Sequence, residues 1–455
     1  MTSSPSRILI IGKDARTDAI AAACAASPRH PTLFGLTEIP TPGLIEKCRE
    51  VRYGSLRDLE SARGAAQAFA PDLVIIGPED PLEVGFADEF RSMGIDVFGP
   101  SRALAAVETS KSWARSVLDR HQIPGNPGYR VFGSADGLRQ YMEELGTFVV
   151  KPDGLTGGKG VRVFGEHLHT IEEALDYAQA ALADDGKVQI EERLDGEEFS
   201  LQTITDGDAV LHCPVVQDHK RAFEGDRGPN TGGMGSYSCP DLSLPFLAAE
   251  DLAEARSINE QVIEALARET GEPYRGVLYG GFMVTRDGLR LIEYNCRFGD
   301  PEAMNVLPLL EGDFAEVCAA AARGELETVL TSWRPEATVC KYLVPEDYPD
   351  VAPTPARIDV PPELGSSSER RWFWAACRRA DAEVFLTSSR SGAFVGIADS
   401  LGEAERIAEE AAQALERHNN GVIRHRQDIG TAELVERRVA HMRALRDGQR
   451  VGAER

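Results

Sequence analysis

Positive charge is scarce in this chain. Its 49 Lys and Arg face 73 Asp and Glu, a net charge of −24 over 455 residues. Such a surface repels nucleic acid and anionic membranes, so neither is expected as a partner. A small anionic substrate is still allowed, because it needs only a local basic site. Cysteine is sparse too: eight residues, with no Cys-x-x-Cys pair. Cys213 and Cys239 therefore read as buried small apolar residues rather than metal ligands. No apolar run approaches the ~20 residues of a membrane span. The N-terminus also lacks the charged-then-apolar pattern of a secretory leader. A reduced, cytoplasmic setting is expected.

Two common nucleotide motifs are missing. The first apolar run, Arg7–Ile11, leads into Gly12-Lys13-Asp14-Ala15-Arg16. That is not Gly-x-Gly-x-x-Gly, so no dinucleotide is inferred. The Gly-rich stretch Gly154–Gly160 is not a Walker A loop. Its Gly154-to-Gly158 spacing is one residue short, and Gly160 stands where Ser or Thr should follow Lys159. It also joins strand to strand, where a Walker A loop joins strand to helix. The phosphate chemistry must be sought elsewhere.

What is present is a long chain with ordinary apolar content, 42%. It is too long for one core and suits three or four domains. Strand signals at Arg7–Ile11, Thr32–Gly35, Asp72–Ile76 and Ile95–Phe98 alternate with helical stretches, notably Thr17–Ala26, Leu56–Phe69 and Leu82–Met93. This predicts a Rossmann-like, doubly wound parallel sheet over residues 1–101. Ligands of such sheets sit beyond the carboxyl ends of the strands. Those ends carry Gly12–Arg16, Gly77-Pro78-Glu79-Asp80 and Gly99-Pro100. Lys13 and Arg16, near a helix N-terminus, could hold a phosphate; an ordinary strand–helix turn is the plainer reading.

Ser101–His121 reads as helical, with Thr109-Ser110 able to cap a helix whose first turn holds Lys111. A cation there opposes the helix dipole by ~0.3–1 kcal/mol unless an anion is near. Strand-like Phe148–Lys151 and Gly160–Phe164 flank Gly154–Gly160, whose glycines let backbone N–H groups converge on phosphate oxygens. A hairpin flap closing over a nucleotide is the expected arrangement, with Lys151 and Lys159 at its ends. Strands at Lys187–Glu191 and Glu192–Leu201 follow, their carboxylates facing either solvent or an adenine amine and a ribose. Gln217–Arg221 and Asn230–Gly235 are charged or Gly-rich and read as loops over an active site. Leu247–Glu269 is helical and Gly276–Thr285 is a strand. Past Gly324 the chemistry fades: strands at Ala337–Val344 and Ala393–Ala398, a Pro-rich loop at Pro345–Pro362, an acidic amphipathic helix at Leu401–His418, and a partly ordered helical tail.

The stretch Leu291–Glu302 carries the sharpest chemical signal. Residues two apart on a strand share a face, so Glu293 and Asn295 point together with Tyr294 behind them. A carboxylate beside an amide oxygen suits a hard cation that keeps phosphate and water among its ligands. Arg297 follows in Cys296-Arg297-Phe298-Gly299-Asp300-Pro301-Glu302, a turn too polar for core. The competing reading is an edge strand followed by a loop with a surface Arg.

Lys111, Lys151, Gly154–Gly160, Glu191–Glu198 and the Glu293/Asn295 pair fall in the order and spacing of the ATP-grasp superfamily. More narrowly, KPDGLTGGKGV, EERLDGEE, QDHKR, GPNTGGMGSYS, IEYNCRFGDPE and RQDIG resemble the phosphoribosylamine–glycine ligase family, over about Leu9–Gly430. The resemblance implies a Rossmann-like domain (1–101), an ATP-grasp domain (102–328, flap about 123–190), a small C-terminal α+β domain (329–430) and a tail (431–455). It implies an ATP-dependent ligase that activates glycine as glycyl phosphate and passes it to 5-phosphoribosylamine, with Mg²⁺ or Mn²⁺. Lys111 and Lys151 would hold the ATP phosphates under Gly154, Gly157, Gly158, Lys159 and Gly160. Glu192 and Leu194 backbone, with the Glu191 carboxylate, would grip adenine, and Glu198 the ribose. Glu293 and Asn295 would ligate the metal. Arg297, Lys151 and Asp218 would form the catalytic set. Lys220, Arg221, Asn230, Thr231, Gly232 and Gly233 would form the substrate floor, with Lys13, Arg16, Gly77, Pro78, Glu79, Asp300, Pro301 and Glu302 also on the substrate side. Partners would be small molecules only, in a monomer or weak homodimer. Two departures fall where the sugar phosphate is expected. The family's Gly-x-Gly-Gly-Arg-Glu-His-Ala turn reads Gly12-Lys13-Asp14-Ala15-Arg16-Thr17-Asp18-Ala19, and its Pro-Gly-Asn loop has no match near Pro40–Leu44. An ATP-grasp ligase with another acid or acceptor, or a non-catalytic nucleotide binder, is the alternative.

Overall fold

The computed structural model describes residues 5–155, 160–350 and 356–448. Ile8–Ile11, within strand Arg7–Ile11, and Leu73–Ile76 are unbroken apolar runs, which suits strands covered on both faces. They lie at the centre of a five-stranded parallel sheet, flanked by Thr32–Thr37 and Glu50–Tyr53 on one side and Asp96–Phe98 on the other. Strand order reverses between Arg7–Ile11 and Leu73–Ile76, which places the crevice at Gly12 and Gly77. Both glycines are there for close approach. A Cβ on Gly12 would stand 2.1 Å, and one on Gly77 2.7 Å, from the Thr17 hydroxyl. The helix expected over Leu82–Met93 is two helices, Asp80–Val84 and Phe86–Ser92, because Gly85 turns left-handed between them. The helix expected from Leu56 starts at Leu59, and Pro42–Lys47 and Glu50–Tyr53 were not anticipated.

Ser110 divides the next helical stretch into Arg102–Thr109 and Lys111–Arg120, and its side chain caps the second by accepting from Trp113 N. A four-stranded antiparallel sheet follows, ordered Tyr129–Phe132, Val188–Glu192, Phe148–Pro152, Arg162–Val163. Helices Leu138–Leu145 and Ile171–Asp185 pack on it around a private core that includes Phe148, Val150, Met142 and Ile190. The main antiparallel sheet runs Val210–His212, Gly196–Thr205, Gly276–Thr285, Gly288–Asn295. Helix Ala249–Thr270 backs it, and Asn259 on that helix bonds Leu201 O, the Thr203 hydroxyl and Tyr294.

The loops expected at Gln217–Arg221 and Asn230–Gly235 need correction at their outer ends: Gln217–Asp218 is a strand, and Gly235 opens another, Gly235–Ser238, both in the C-terminal sheet. That sheet runs Gln217–Asp218, Gly235–Ser238, Ala337–Pro345, Gly392–Ala398, Arg370–Trp374. Gly235 pairs with Lys341 and Ser238 with Thr338, so the strand is defined by a partner a hundred residues away rather than by its own apolar content. Helix Leu401–His418 lies on this sheet at Gly396, where a Cβ would meet Ala404 O at 1.9 Å. Over its described residues the segment after Gly430 is firmer than its composition suggested. Helix Ala432–Arg446 is capped by Thr431 and buries Leu434, Met442 and Leu445. Among the described residues no helix is long and apolar enough to cross a membrane.

Candidate active site

The Gly288–Asn295 strand turns Leu291 and Tyr294 into the core and presents Glu293 to a cleft. Burial alone would raise the Glu293 carboxyl. Lys220, Lys151, Lys111 and Arg297 together hold it below the ordinary carboxylate range. Among the described residues no hydrogen bond or ion pair engages this carboxylate directly. Glu293 is thus an open acceptor ringed by four cations from four separate segments.

Each cation is held by its own partners. Lys111 opens its helix and donates to Gly154 O at 2.7 Å. The anion that offsets its unfavourable position on the dipole is Asp153, whose carboxylate takes Ser112 N at 2.6 Å and the Ser110 hydroxyl at 3.0 Å. Lys151 donates to Ile292 O at 3.2 Å and pairs with Glu191 at 2.6 Å. Glu191 is fully enclosed. It also takes Arg115 Nε at 2.8 Å, and Arg115 in turn donates to the Leu291 and Ile292 carbonyls at 2.8 Å each. The Glu191 carboxylate therefore fixes Lys151 and Arg115 onto the Glu293 strand. Arg115 went unnoticed in the sequence, although it sits one helical turn beyond Lys111 and so shares its face. Lys220 pairs with Glu198 at 3.2 Å. Glu198, Glu293 and Asp218 hold the Lys220 ammonium up against the effect of burial, with Glu198 the strongest influence.

Arg297 is pinned on three sides: Glu79 at 3.1 Å, Glu108 at 2.8 Å and Asn295 Oδ1 at 3.2 Å. Glu108, which was also missed, further accepts from Cys296 N at 2.7 Å and the Cys296 thiol at 3.1 Å. Burial pushes that thiol well up, so Cys296 is a packing residue. Glu79 thus ties the first domain to the Glu293 strand. Arg16 does the same through Phe298 O at 2.7 Å, beside Asp14 and Glu79. Gly77 and Pro78 pack on the Gly12–Thr17 turn.

The far end of the cleft is acidic. Asp218 and Glu302 line it with Glu198, Lys220, Tyr279 and Glu293. Glu302 accepts the Tyr279 hydroxyl at 2.8 Å. Burial, then Glu302, push Asp218 well above the usual carboxylate range, against the pull of Lys220 and Arg390. Gly233, with φ +109°, leaves no room for a side chain: a Cβ would lie 2.6 Å from both Asp218 Oδ1 and Pro301 Cδ. Thr231 bonds Lys220 O through its amide (2.7 Å) and hydroxyl (2.9 Å). A C-terminal residue, Arg390, reaches the Gly232 and Gly233 carbonyls at 2.7 and 2.9 Å and pairs with Asp300 at 3.1 Å. Chemistry therefore does not fade past Gly324.

The remaining expected residues lie at the margins. Glu192 accepts Gly128 N at 2.6 Å through its side chain. Among the described residues no hydrogen bond reaches Leu194 N. Gly160 O accepts from Tyr177 at 2.7 Å. Gly157, Gly158 and Lys159 lie outside the described residues. Lys13 is not brought to the cleft; it pairs with Glu38, the nearer counter-charge on the adjoining loop. Arg221, opposite Asn230 in a hairpin, turns to Glu166 of the flap and to Gly228 O. The altered first turn has a physical result. Asp14 caps helix Ala15–Ala25, taking Thr17 N at 2.9 Å, so a carboxylate already occupies the end where an anion would bind. Asp18 is drawn to the C-terminal domain through Trp374 N at 2.8 Å and pairs with Lys47 at 2.6 Å.

Family models described as the N domain, the ATP-grasp (A) domain and the C domain of phosphoribosylglycinamide synthetase match residues 6–108, 109–303 and 338–432. A phosphoribosylamine–glycine ligase of Methanococcoides burtonii is 45% identical over 96% of this chain and 99% of that protein. That of Methanopyrus kandleri is 44% identical over 97% of this chain and 99% of its own. Among solved structures, phosphoribosylamine–glycine ligase from Thermotoga maritima superposes with a TM-score of 0.74 at 25% identity, covering 93% of this chain and 99% of that one. Biotin carboxylase from Campylobacter jejuni shares the fold, with a TM-score of 0.70 at 15% identity, covering 96% of this chain and 95% of that one.

Proposed function

The chain belongs to the phosphoribosylglycinamide synthetase family and is an ATP-dependent ligase joining glycine to 5-phosphoribosylamine in purine biosynthesis, and from that premise we propose how its residues divide the work. The convergence of Lys111, Lys151, Lys220 and Arg297 on an unengaged Glu293 carries the reading. Lys151, Lys220 and Arg297 each have a carboxylate of their own, while Lys111 meets only the Gly154 carbonyl among the described residues, so a bound triphosphate supplies the counter-charge that Lys111 lacks. Lys111 and Lys151 hold the ATP phosphates, with Lys151 oriented by Glu191. The flap hairpin, Gly154 and Gly160 included, covers them. The backbone at Glu192 and Leu194 takes the adenine edge, and Glu198 the ribose.

Glu293 offers an unengaged carboxylate, and Asn295 Oδ1, which already accepts from Arg297 at 3.2 Å, offers its remaining lone pair from the same face of the strand, a pair of oxygens that fits Mg²⁺ or Mn²⁺ completed by phosphate and water. When bound, such an ion neutralises phosphate charge and polarises the transferred phosphoryl group. The polarity of the cleft suits a zwitterion: the glycine carboxylate toward the lysines, its ammonium toward Asp218 and Glu302. The carboxylate attacks the γ-phosphoryl group, giving ADP and glycyl phosphate. The amine of 5-phosphoribosylamine then attacks the acyl carbon, loses a proton and expels phosphate, leaving the amide. The protein's share is positioning and charge neutralisation. Arg297, locked by Glu79 and Glu108, faces the acyl phosphate, and the cover keeps water from it. Arg16, Gly77 and Pro78 lie on the amino-sugar side. Release of ADP with labelled glycine, phosphoribosylamine and ATP tests this. Glu293→Ala abolishes it; near-normal turnover by a folded Glu293→Ala protein would remove the metal and phosphate assignment.

A further inference from the structure

We propose that Arg390, supplied by the C-terminal domain, is a positioning residue for glycine, holding the acidic end of the cleft in register from beneath. It sits just before strand Gly392–Ala398, and its backbone is fixed by Ala376 N at 3.2 Å. One guanidinium nitrogen, Nη1, reaches Gly232 O at 2.7 Å, Gly233 O at 2.9 Å and Asp300 O at 3.2 Å. The other, Nη2, pairs with Asp300 Oδ1 at 3.1 Å. The group lies 4.3 Å over the Tyr342 ring, and the Tyr342 hydroxyl donates to the same Asp300 oxygen at 2.5 Å.

Of the two segments joined here, one carries Glu302 and the other packs against Asp218. Gly233 abuts both Asp218 and Pro301, and Pro301 precedes Glu302. Arg390 touches neither acid. It ties the turn beneath one to the residue two before the other, so their separation depends on a fork that meets carbonyls and a carboxylate at once. Only a planar guanidinium does this; an ammonium on a flexible stem meets one acceptor well and the rest poorly. Lys111 and Lys151 are held by other partners, so the nucleotide end does not depend on Arg390.

This rests on placing glycine at Asp218 and Glu302, and the test separates the two claims. Initial rates of ADP release are measured with each substrate varied in turn. In Arg390→Ala the KM for glycine rises by about tenfold or more while that for ATP stays within about twofold. Arg390→Lys recovers only part of the loss. If Arg390→Ala is too unstable to assay, Tyr342→Phe decides, with a smaller rise of the same selectivity. Asp218→Asn is the control. If it raises the glycine KM and the Arg390 and Tyr342 variants do not, the Arg390 inference fails alone. If it leaves the glycine KM unchanged, the glycine placement fails. A parallel rise in the ATP and glycine KM values for Arg390→Ala also overturns the inference, since that is the mark of a general loosening.

Discussion

Glu191→Gln is the most informative single change, because it removes one charge and leaves two cations enclosed. The Glu191, Arg115 and Lys151 side chains are 4%, 4% and 8% exposed, with contacts of 2.8 Å to Arg115 and 2.6 Å to Lys151. Neutralising one partner of such a buried set costs ~3–5 kcal/mol, most of it from the charge left unpaired. Arg115 keeps the Leu291 and Ile292 carbonyls and Lys151 keeps Ile292 O, which places the loss toward the lower end. That is still a large part of the ~5–15 kcal/mol that separates folded from unfolded chains. If Lys151 meets the triphosphate, nucleotide supplies the missing counter-charge, and the loss should fall to ~1–2 kcal/mol when a non-hydrolysable ATP analogue is saturating. Urea denaturation can be followed by tryptophan fluorescence, to which Trp113, two residues along the helix from Lys111, contributes with three others. The same loss with and without nucleotide would show that Lys151 does not face phosphate. No loss in the free protein would show that the buried network contributes nothing.

Gly233→Ala forces a Cβ to within 2.6 Å of Asp218 Oδ1 and Pro301 Cδ at φ +109°. It should cost ~1–3 kcal/mol in backbone strain and raise the glycine KM more than the ATP KM; unchanged kinetics would mean that the turn does not border the substrate. His425 is enclosed between Glu409 and Glu416, beside Lys341. Burial lowers its pKa, but the bonds to the two carboxylates outweigh that and raise it. A raised folded pKa means stabilisation complete below the unfolded value of about 6.5 and lost as pH rises through the folded value. Melting temperatures of wild type and His425→Gln should therefore differ most near pH 6 and converge toward pH 9; a gap that widens with pH refutes the sign.

The residues legible in the sequence share one property: their meaning is local. Ile8–Ile11 is apolar on both faces and became a central strand. Glu293 and Asn295 share a face by the period of the strand. Ser110 caps the helix it precedes. The terminal helix, by contrast, read as only partly ordered, because its anchors are remote. Arg438 pairs with Glu197 at 3.3 Å and also with Asp226, and His441 with Glu197 at 2.6 Å. Nothing in the spacing of 432–446 announces a carboxylate more than two hundred residues earlier.

The same distinction divides the reacting groups from those that hold them. Lys111 reaches Gly154, 43 residues on, within one motif-bearing stretch. Arg115 reaches Leu291 across 176 residues, Arg390 reaches Gly232 across 158, and Arg16 reaches Phe298 across 282. A cation meant for phosphate needs only to be presented, so a short pattern can reveal it. A cation that fixes geometry between segments must be enclosed and matched by acceptors from elsewhere, or its desolvation is not recovered. Its signature exists only in three dimensions. The altered first turn follows the same logic. Asp14 and Asp18 stand, in sequence, only as departures from the family's Gly-rich turn. In the fold one caps its helix and pairs with Arg16, while the other joins Lys47 and Trp374. Both acids thus join segments, which is why neither shows its use in the spacing of the turn alone.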